Sequence, residues 1–595
     1  MNRTTPRIVA RNASACLLSL AALFAVSTRA EVLSVLPSDA LVVIKVKDLA
    51  GVSKKVAALS ERCGLSALQP QMADPIGAIK QDLNIKGGLN ESGDAAFAIL
   101  NIESDEPQMV TLLPVADYAA FLTNFEGAST ENGITTFTNA AGGETVYVAS
   151  WGNYAAISPV KSIVEAQGQG ITLPASANAE LAAKDAVMFA NIPVIKTKVL
   201  PTLTEEKAEW RQQLISGLEQ DENAKKFAPL LGAAFDVYFQ AAETFLNETQ
   251  GSFISINITD AGANFSVVSE FTQGSYIGNF VSSLKGGTSS YLSGLPASSY
   301  LFYGGFPANS AALKPVMKDV LDPILAALPE LTPEAKTALD EVRSSFDTMM
   351  DSGAAATFGV IKPKGQLGQE AIFQSLFVVE GKPEAYIPAM KKYFASTGTI
   401  VKSLMPEGAP AMPGTSFIIE DKALTAGGVS FDRIKADVNA EPKTPEEAQM
   451  QQVMSFMYGP AGLSYVIGAA DDKHAIFAQG VSDEALAAAV EATKAGQDNL
   501  SSLPHIAETA AQLPADRIGV VYVAVDEIAT TAIGYVSQFG MPVKFQLPPN
   551  LPPLGVAVSA SSNTMRVEYH IPSKTVESFV AAALQAMNDA RNGGM

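Results

Sequence analysis

The stretch LPSDALVVIKVKDLAGVSKKVAAL (36–59) returns as LPASSYLFYGGFPANSAALKPVMKDVL (295–321) and again as LPADRIGVVYVAVDEIATTAIGYV (513–536). Each copy opens on a proline, which cannot donate to a β-ladder and marks a strand entrance. In the first, Leu41 to Ile44 form a β-branched run. Asp48 then stands as N-cap, and Leu49, Val52, Val56 and Leu59 fall on one helical face. In the last, the strand runs from Ile518 to Val525, Asp526 takes the cap position, and Ile528, Ala532 and Val536 form the stripe. The middle copy offers Asn309 or Ser310 as cap, with Leu313, Val316 and Val320 inward. A weaker version, AVMFANI (186–192), follows Lys184-Asp185.

Other landmarks recur in the same order. ISINITDAGANFSVVSEF (254–271), two alternating strands around a turn and then a helix with Ile277, Phe280, Val281 and Leu284 inward, is repeated at 555–571 with Val576, Phe579 and Val580. The strand and aromatic-striped helix at 109–125 match 375–394, and the hairpin and helix at 144–166 match 463–492. Ser158-Pro159 and Ser482 with Asp483 and Glu484 start the corresponding helices. KGGTSSYLSG (285–294) reads as a linker. Preserved order, more than any single match, implies an internal duplication into domains 31–287 and 288–595.

Inserted helices distinguish the halves. Thr202 with Glu205 reads as a capping box, leading to Trp210, Leu214 and Leu218 and then to a stripe of Phe227, Leu231, Phe235, Tyr238, Ala242 and Phe245. That stripe is expected to pack on the strand carrying Ile254, Ile256 and Ile258. In the second half Thr332-Pro333 opens a helix, and 415–438 reads as an extra hairpin. The expected class is α+β: two tandem related domains, each an antiparallel sheet built from hairpins with helices packed on one face.

The turns Leu36-Pro37-Ser38-Asp39-Ala40 and Leu513-Pro514-Ala515-Asp516 carry a resemblance to a loosely defined group of secreted bacterial proteins of unknown function, which repeat an LPxDA-like turn before a strand and helix. The middle copy departs from it, with Ser298-Ser299 in place of Asp-Ala. The resemblance implies export and this domain style; it carries no activity and no site residues.

Residues 1–30 have the layout of a secretory signal peptide. Arg3, Arg7 and Arg11 precede the apolar stretch 13–26, and Thr28-Arg29-Ala30 supplies small residues at −3 and −1. The apolar stretch follows Cys16 rather than preceding it, which argues against a lipid anchor there. Cleavage would leave Cys63 as the one thiol, with no intramolecular disulfide available. Export without disulfides points to a bacterial periplasm or extracellular space. The most apolar later stretch, 227–246, carries Asp236, Gln240 and Glu243, so the chain is not expected to span a membrane. Loss of four leader arginines leaves 37 basic against 61 acidic residues, a net of about −24. Scattered acids of this excess disfavour nucleic acid and anionic lipid surfaces.

Chemistry-bearing motifs are sparse. His474, His505 and His570 are the three histidines, and none has a partner at ligand spacing. His474 lies in the turn Asp471-Asp472-Lys473, His505 at a helix entrance after Pro504, and His570 near a strand end. The sequence has no nucleophile elbow, P-loop or dinucleotide fingerprint. Cys63 reads as a core or helix-end residue. Glu103, Asp105 and Glu106 lack the glycine and terminal glutamate of a calcium loop, and QLPPNLPPLG (546–555) reads as a stiff connector. No catalytic, cofactor-binding or metal-ligating residue is assigned, and no cofactor is expected. The expectation is an exported, non-enzymatic envelope protein, binding or structural, whose partner is an unidentified envelope component. The alternatives are a carrier of an apolar, lipid-like ligand and a hydrolase. Amino-terminal sequencing of the protein from its native host should begin at Glu31; a retained Met1 or Asn2 in the soluble cytoplasm would refute the leader.

Overall fold

The opening phrase folds as a strand and a capped helix. Val42–Val46 forms β1, and Asp48 Oδ1 accepts the Gly51 N–H at 2.9 Å to start the helix Leu49–Arg62. Leu49, Val52 and Val56 are buried along its inner face. The computed structural model describes residues 31–592, except 102–107, 139–142, 221–224, 309, 329–330, 366–368, 405–415, 437–444, 460 and 541–544. The leader, with Arg3, Arg7, Arg11, Cys16 and Arg29, lies outside the described residues, as do Glu103, Asp105, Glu106 and Asn309.

The remaining strands of the first half are β2 (Ala95–Asn101), β3 (Gln108–Pro114), β4 (Ser129–Glu131), β5 (Ile134–Thr138), β6 (Thr145–Trp151), β7 (Tyr154–Ser158), β8 (Ala186–Ala190), β9 (Thr249–Thr259) and β10 (Gly262–Phe271). Those of the second are β11 (Tyr300–Pro307), β12 (Gly353–Ile361), β13 (Gln374–Gly381), β14 (Phe417–Ala426), β15 (Val429–Ala436), β16 (Ser464–Ala469), β17 (His474–Gln479), β18 (Gly519–Val523), β19 (Leu554–Ser561) and β20 (Thr564–Pro572). Helices are interspersed among antiparallel hairpins such as β4–β7 and β9–β10, so the fold is mixed α+β.

The chain divides into two compact units. The first holds Met1–Leu203, Thr244–Asn279 and Ser561–Leu584; the second holds Thr204–Glu243, Phe280–Ala560 and Gln585–Met595. The first therefore takes in β20 and its following helix from the far end of the chain, which a single cut at 287/288 does not describe. Its antiparallel order is β4-β5-β6-β7-β3-β2-β1-β8-β9-β10-β20. The second runs β14-β15-β16-β17-β13-β12-β11-β18-β19. From β4 to β9 and from β14 to β19 the two orders agree strand for strand. The hairpin at 415–438 is consequently not extra: β14 and β15 have a shorter counterpart in β4 and β5.

Helices cover both faces of the sheets, not one. In the first unit, Val43, Ala96, Leu112 and Phe189 pack with Leu181 of the helix Ala175–Ala183. The alternate residues Ile44, Phe97 and Leu113 pack with Leu49, Val52 and Val56. In the second unit, Leu376, Ile476 and Ala478 pack with Leu486 and Val490, while Phe394 on the helix Pro383–Leu404 meets Phe477 and Tyr465 on the other side. Side chains alternate along a strand, and with both faces covered the strands lose the half-polar pattern of a one-sided sheet.

The last three strands of the first unit invert this logic. Their buried side carries Ser255, Asn264, Ser266, Glu568 and His570. Their other side presents Ile254, Val267 and Tyr569, exposed at 40%, 37% and 40%. The polar side is neutralised in place. Glu180 accepts from Ser255 Oγ at 2.8 Å and pairs with Arg566. Asp185 accepts from Lys55 at 2.6 Å and from the Ile258 N–H at 2.8 Å, and Lys45 pairs with Asp94 at 2.7 Å. His570 Nδ1 lies 2.5 Å from Asn264 Oδ1. Isolated charges could not be buried here at tolerable cost; paired and hydrogen-bonded ones can.

Two inserted-helix expectations change. Thr202 and Glu205 lie inside one helix, Ile192–Glu219, which runs through Pro201, so they cap nothing. On the helix Ala228–Glu248 the buried positions are Ala228, Gly232 and Phe239, whereas Tyr238 is 75% exposed and Ala242 is also exposed. Within the second unit this helix packs on its predecessor: Trp210 meets Phe239 edge-on, and Arg211 pairs with Asp236 at 3.1 Å. A Cβ at Gly232 would meet Arg211 Nη2 at 2.5 Å, so the bare glycine leaves room for the guanidinium that pairs with Asp236. Phe239→Ala should therefore destabilise by about 3–5 kcal/mol, and Tyr238→Ala by no more than roughly 0.5 kcal/mol. Urea unfolding of both variants checks this; the reverse ranking would restore the Tyr238 stripe.

Candidate functional site

Four chain segments of the second unit converge on a cleft. They are 298–303, leading into β11; 500–506, ending on the short helix Pro504–Ala510; 524–527, where β18 becomes the helix Val525–Gln538; and 550–553, the connector into β19. The cleft has room of about 60 Å³, enough for roughly four waters.

Local sequence explains each wall. Pro504 at the first helical position brings His505 to the helix start. The connector is proline-rich and turns at Asn550, whose φ of 59° is left-handed; Thr509 Oγ1 anchors it by donating to the Pro553 carbonyl at 2.8 Å. Tyr300 donates its hydroxyl to the Pro296 carbonyl at 2.9 Å, and its ring lies 5.7 Å from that of Tyr303, which stacks on Tyr522 at 5.3 Å. Burial pushes the Tyr300 and Tyr303 hydroxyls well above their ordinary range, so both stay protonated.

Asp526 differs from its expected role. The helix begins two residues earlier than expected, at Val525 with Ala524 at the cap position, and Asp526 is 4% exposed. Its Oδ2 accepts the Leu551 N–H at 3.1 Å. Burial raises its carboxyl pKa, against the backbone N–H groups of Leu551 and Glu527, which favour the charge. Glu527 is held by Lys362 at 2.5 Å, and Lys362 also donates to Thr530 at 2.9 Å. Burial lowers the His505 pKa, partly offset by Asp526 and Glu527, so the imidazole is neutral at pH 7. No hydrogen bond joins His505 to either acid among the described residues.

The first unit does not repeat this site. Where β8 passes into the helix Ile192–Glu219, Asn191 donates Nδ2 to the Ala40 carbonyl at 3.0 Å, and Asp39 pairs with Lys198 at 3.5 Å. Ser298-Ser299, the departure from the Asp39-Ala40 pattern, lies on the cleft of the second unit. That departure was the sequence signal for the site; the convergence of His505, Asp526 and Glu527 had none.

The other histidines stay apart. His474 closes its turn, with the ring 2.9 Å from Asp471, and His570 is buried on β20. Cys63 ends its helix, donating to the Ser573 carbonyl at 3.6 Å, and burial pushes its thiol pKa up. Among the described residues no group of three or more His, Cys, Asp or Glu side chains is disposed to hold a metal, and no helix is long and apolar enough to cross a membrane. The apolar void beside Leu33, Ile171, Leu173 and Phe189 measures about 10 Å³, the size of one water, so it does not enclose an apolar ligand.

No family model and no curated protein matches the chain. Among solved structures it is similar to crystal form I of TP0453, at 12% identity and a TM-score of 0.21, over 41% of this chain and 80% of that one. For crystal form III the values are 8%, 0.21, 48% and 97%. At these TM-scores the likeness bears on neither fold nor function.

The raised Asp526 pKa has a consequence for stability. The folded state binds this proton more tightly than the unfolded chain, so its contribution is present below the ordinary aspartate value of about 4 and is lost as pH rises through the raised value. Asp526→Asn, which keeps an acceptor for Leu551, should stabilise the protein at pH 7 and lose that advantage below about pH 4. Urea midpoints of both proteins at each pH check it, and equal shifts at both would refute it.

Proposed function

We propose that the chain is an exported, non-enzymatic protein of the cell envelope that acts by binding, with the cleft of the second unit as its binding site. The observation that carries the reading is this cleft, lined by Ser298, Ser299, His505, Asp526 and Asn550 among aromatic and aliphatic walls. A few polar groups in a concave apolar setting are the kind of lining that recognises small molecules, and room of about 60 Å³ limits the enclosed part to a compact group. Catalysis is less well supported. Acid–base work needs a base within hydrogen-bond reach of its orienting group, whereas His505 is bonded to neither acid and Glu527 is committed to Lys362. The leader-like segment 1–30 supports export, and the shared strand order supports descent of the two halves from one duplicated unit.

Native mass spectrometry of the mature protein from its own envelope tests the binding site. The wild type should carry a small-molecule adduct. Ser299→Trp, which places an indole at the exposed rim of the cleft, should lose the adduct with an unchanged unfolding midpoint. An adduct that survives this substitution would place binding elsewhere.

A further inference from the structure

We propose that the cleft selects a ligand carrying a primary ammonium group; the inference rests on the binding reading above. Asp526 is buried, lines the cleft and takes its hydrogen bonds from backbone N–H groups, with no cation against it among the described residues. Its neighbour Glu527 is already neutralised by Lys362. Lys362 is the cation at this corner, and it is engaged by Glu527 and Thr530. His505 cannot supply the missing charge at pH 7, because burial keeps it neutral. Asp526 lies in the first turn of the helix Val525–Gln538, whose N-terminus carries part of the compensation; burial still makes the charge costly, and a proton or a bound cation relieves the remainder.

The walls narrow the kind of cation. A metal ion needs several converging ligands, and among the described residues no such group of three is present. An alkylammonium instead offers three N–H donors. Ser298, Ser299 and Asn550, whose hydroxyl and amide oxygens are acceptors, line the same cleft as Asp526, as do Tyr300 and Tyr303. Room of about 60 Å³ admits a compact head group, and the partly open mouth lets the rest of the molecule remain outside. A quaternary ammonium would fill more space and leave the acceptors without donors. The same head group could arrive on a free amine such as ethanolamine or on phosphatidylethanolamine.

Isothermal titration calorimetry of the full mature protein at pH 7.5 tests this, with ethylamine, ethanolamine, 1-propanol and tetramethylammonium as probes. Both primary amines should bind. The alcohol and the quaternary ion should bind at least tenfold more weakly. Asp526→Asn should weaken ethylamine tenfold or more, and Ser299→Trp should do the same without touching the acid, so a folding defect in one variant leaves the other as the test. Flotation with phosphatidylcholine vesicles, with and without phosphatidylethanolamine, separates the sources: retention only with the ethanolamine lipid assigns a lipid head group, and binding of free amine without retention assigns a soluble one. Amine binding unaltered in both variants would overturn the proposal. Absence of amine binding, while the wild type still carries a Ser299→Trp-sensitive adduct, would overturn the ammonium class and leave the binding reading standing. Absence of both would remove the two together.

Discussion

Arg566 and Glu180 are 386 positions apart in the chain, and their ion pair defines how the first unit is assembled. Glu180 is buried, so it needs a cation, and no residue near it in sequence supplies the one it uses. β20 delivers Arg566 by pairing with β10 in unbroken register, from Gly262 opposite Pro572 to Glu270 opposite Thr564. Glu568 then faces Lys184 at 3.9 Å. Removing one partner of such a pair would leave a buried charge uncompensated, a loss of about 3–5 kcal/mol. The last strand is therefore part of the first unit's interior, which is why the chain does not divide into two consecutive blocks.

The same network explains the reversed faces of β9, β10 and β20. Once Ser255, Ser266, Glu568 and His570 occupy the covered side, strand alternation turns Ile254, Val267 and Tyr569 outward. A one-residue register shift would exchange the two sets, exposing the polar groups and leaving the buried Glu180 against apolar side chains without Ser255 and Arg566. Buried polar groups with specific partners make that slip costly, so here they act as a register device.

The two units share a strand order but not a site. In the first, the corner after β8 is closed by Asn191 and by the Asp39–Lys198 pair. In the second, Ser298-Ser299 leaves the equivalent turn open, the proline-rich connector holds its distance through Thr509, and Asp526 turns inward to Leu551. The same strand order thus frames a packed corner in the first unit and a cleft in the second. Asp526 has the spacing of a cap, but the cap position falls two residues before it, at Ala524, and burial gives the carboxyl a different task.

The sequence by itself determined the α+β class, the order of strands and helices, and the local caps at Asp48, Thr332 and Ser482, because periodicity, proline placement and side-chain–backbone hydrogen bonds act within a few residues. It marked Ser298-Ser299 as a departure without saying what the departure opened onto. Only the tertiary structure decided the rest. Covering both sheet faces, turning Gly232 and Phe239 inward in place of Tyr238, and bringing His505, Asp526 and Asn550 around one cleft all depend on segments far apart in the chain. Such choices are made by which distant surface arrives to exclude water, and a local pattern holds no record of that surface.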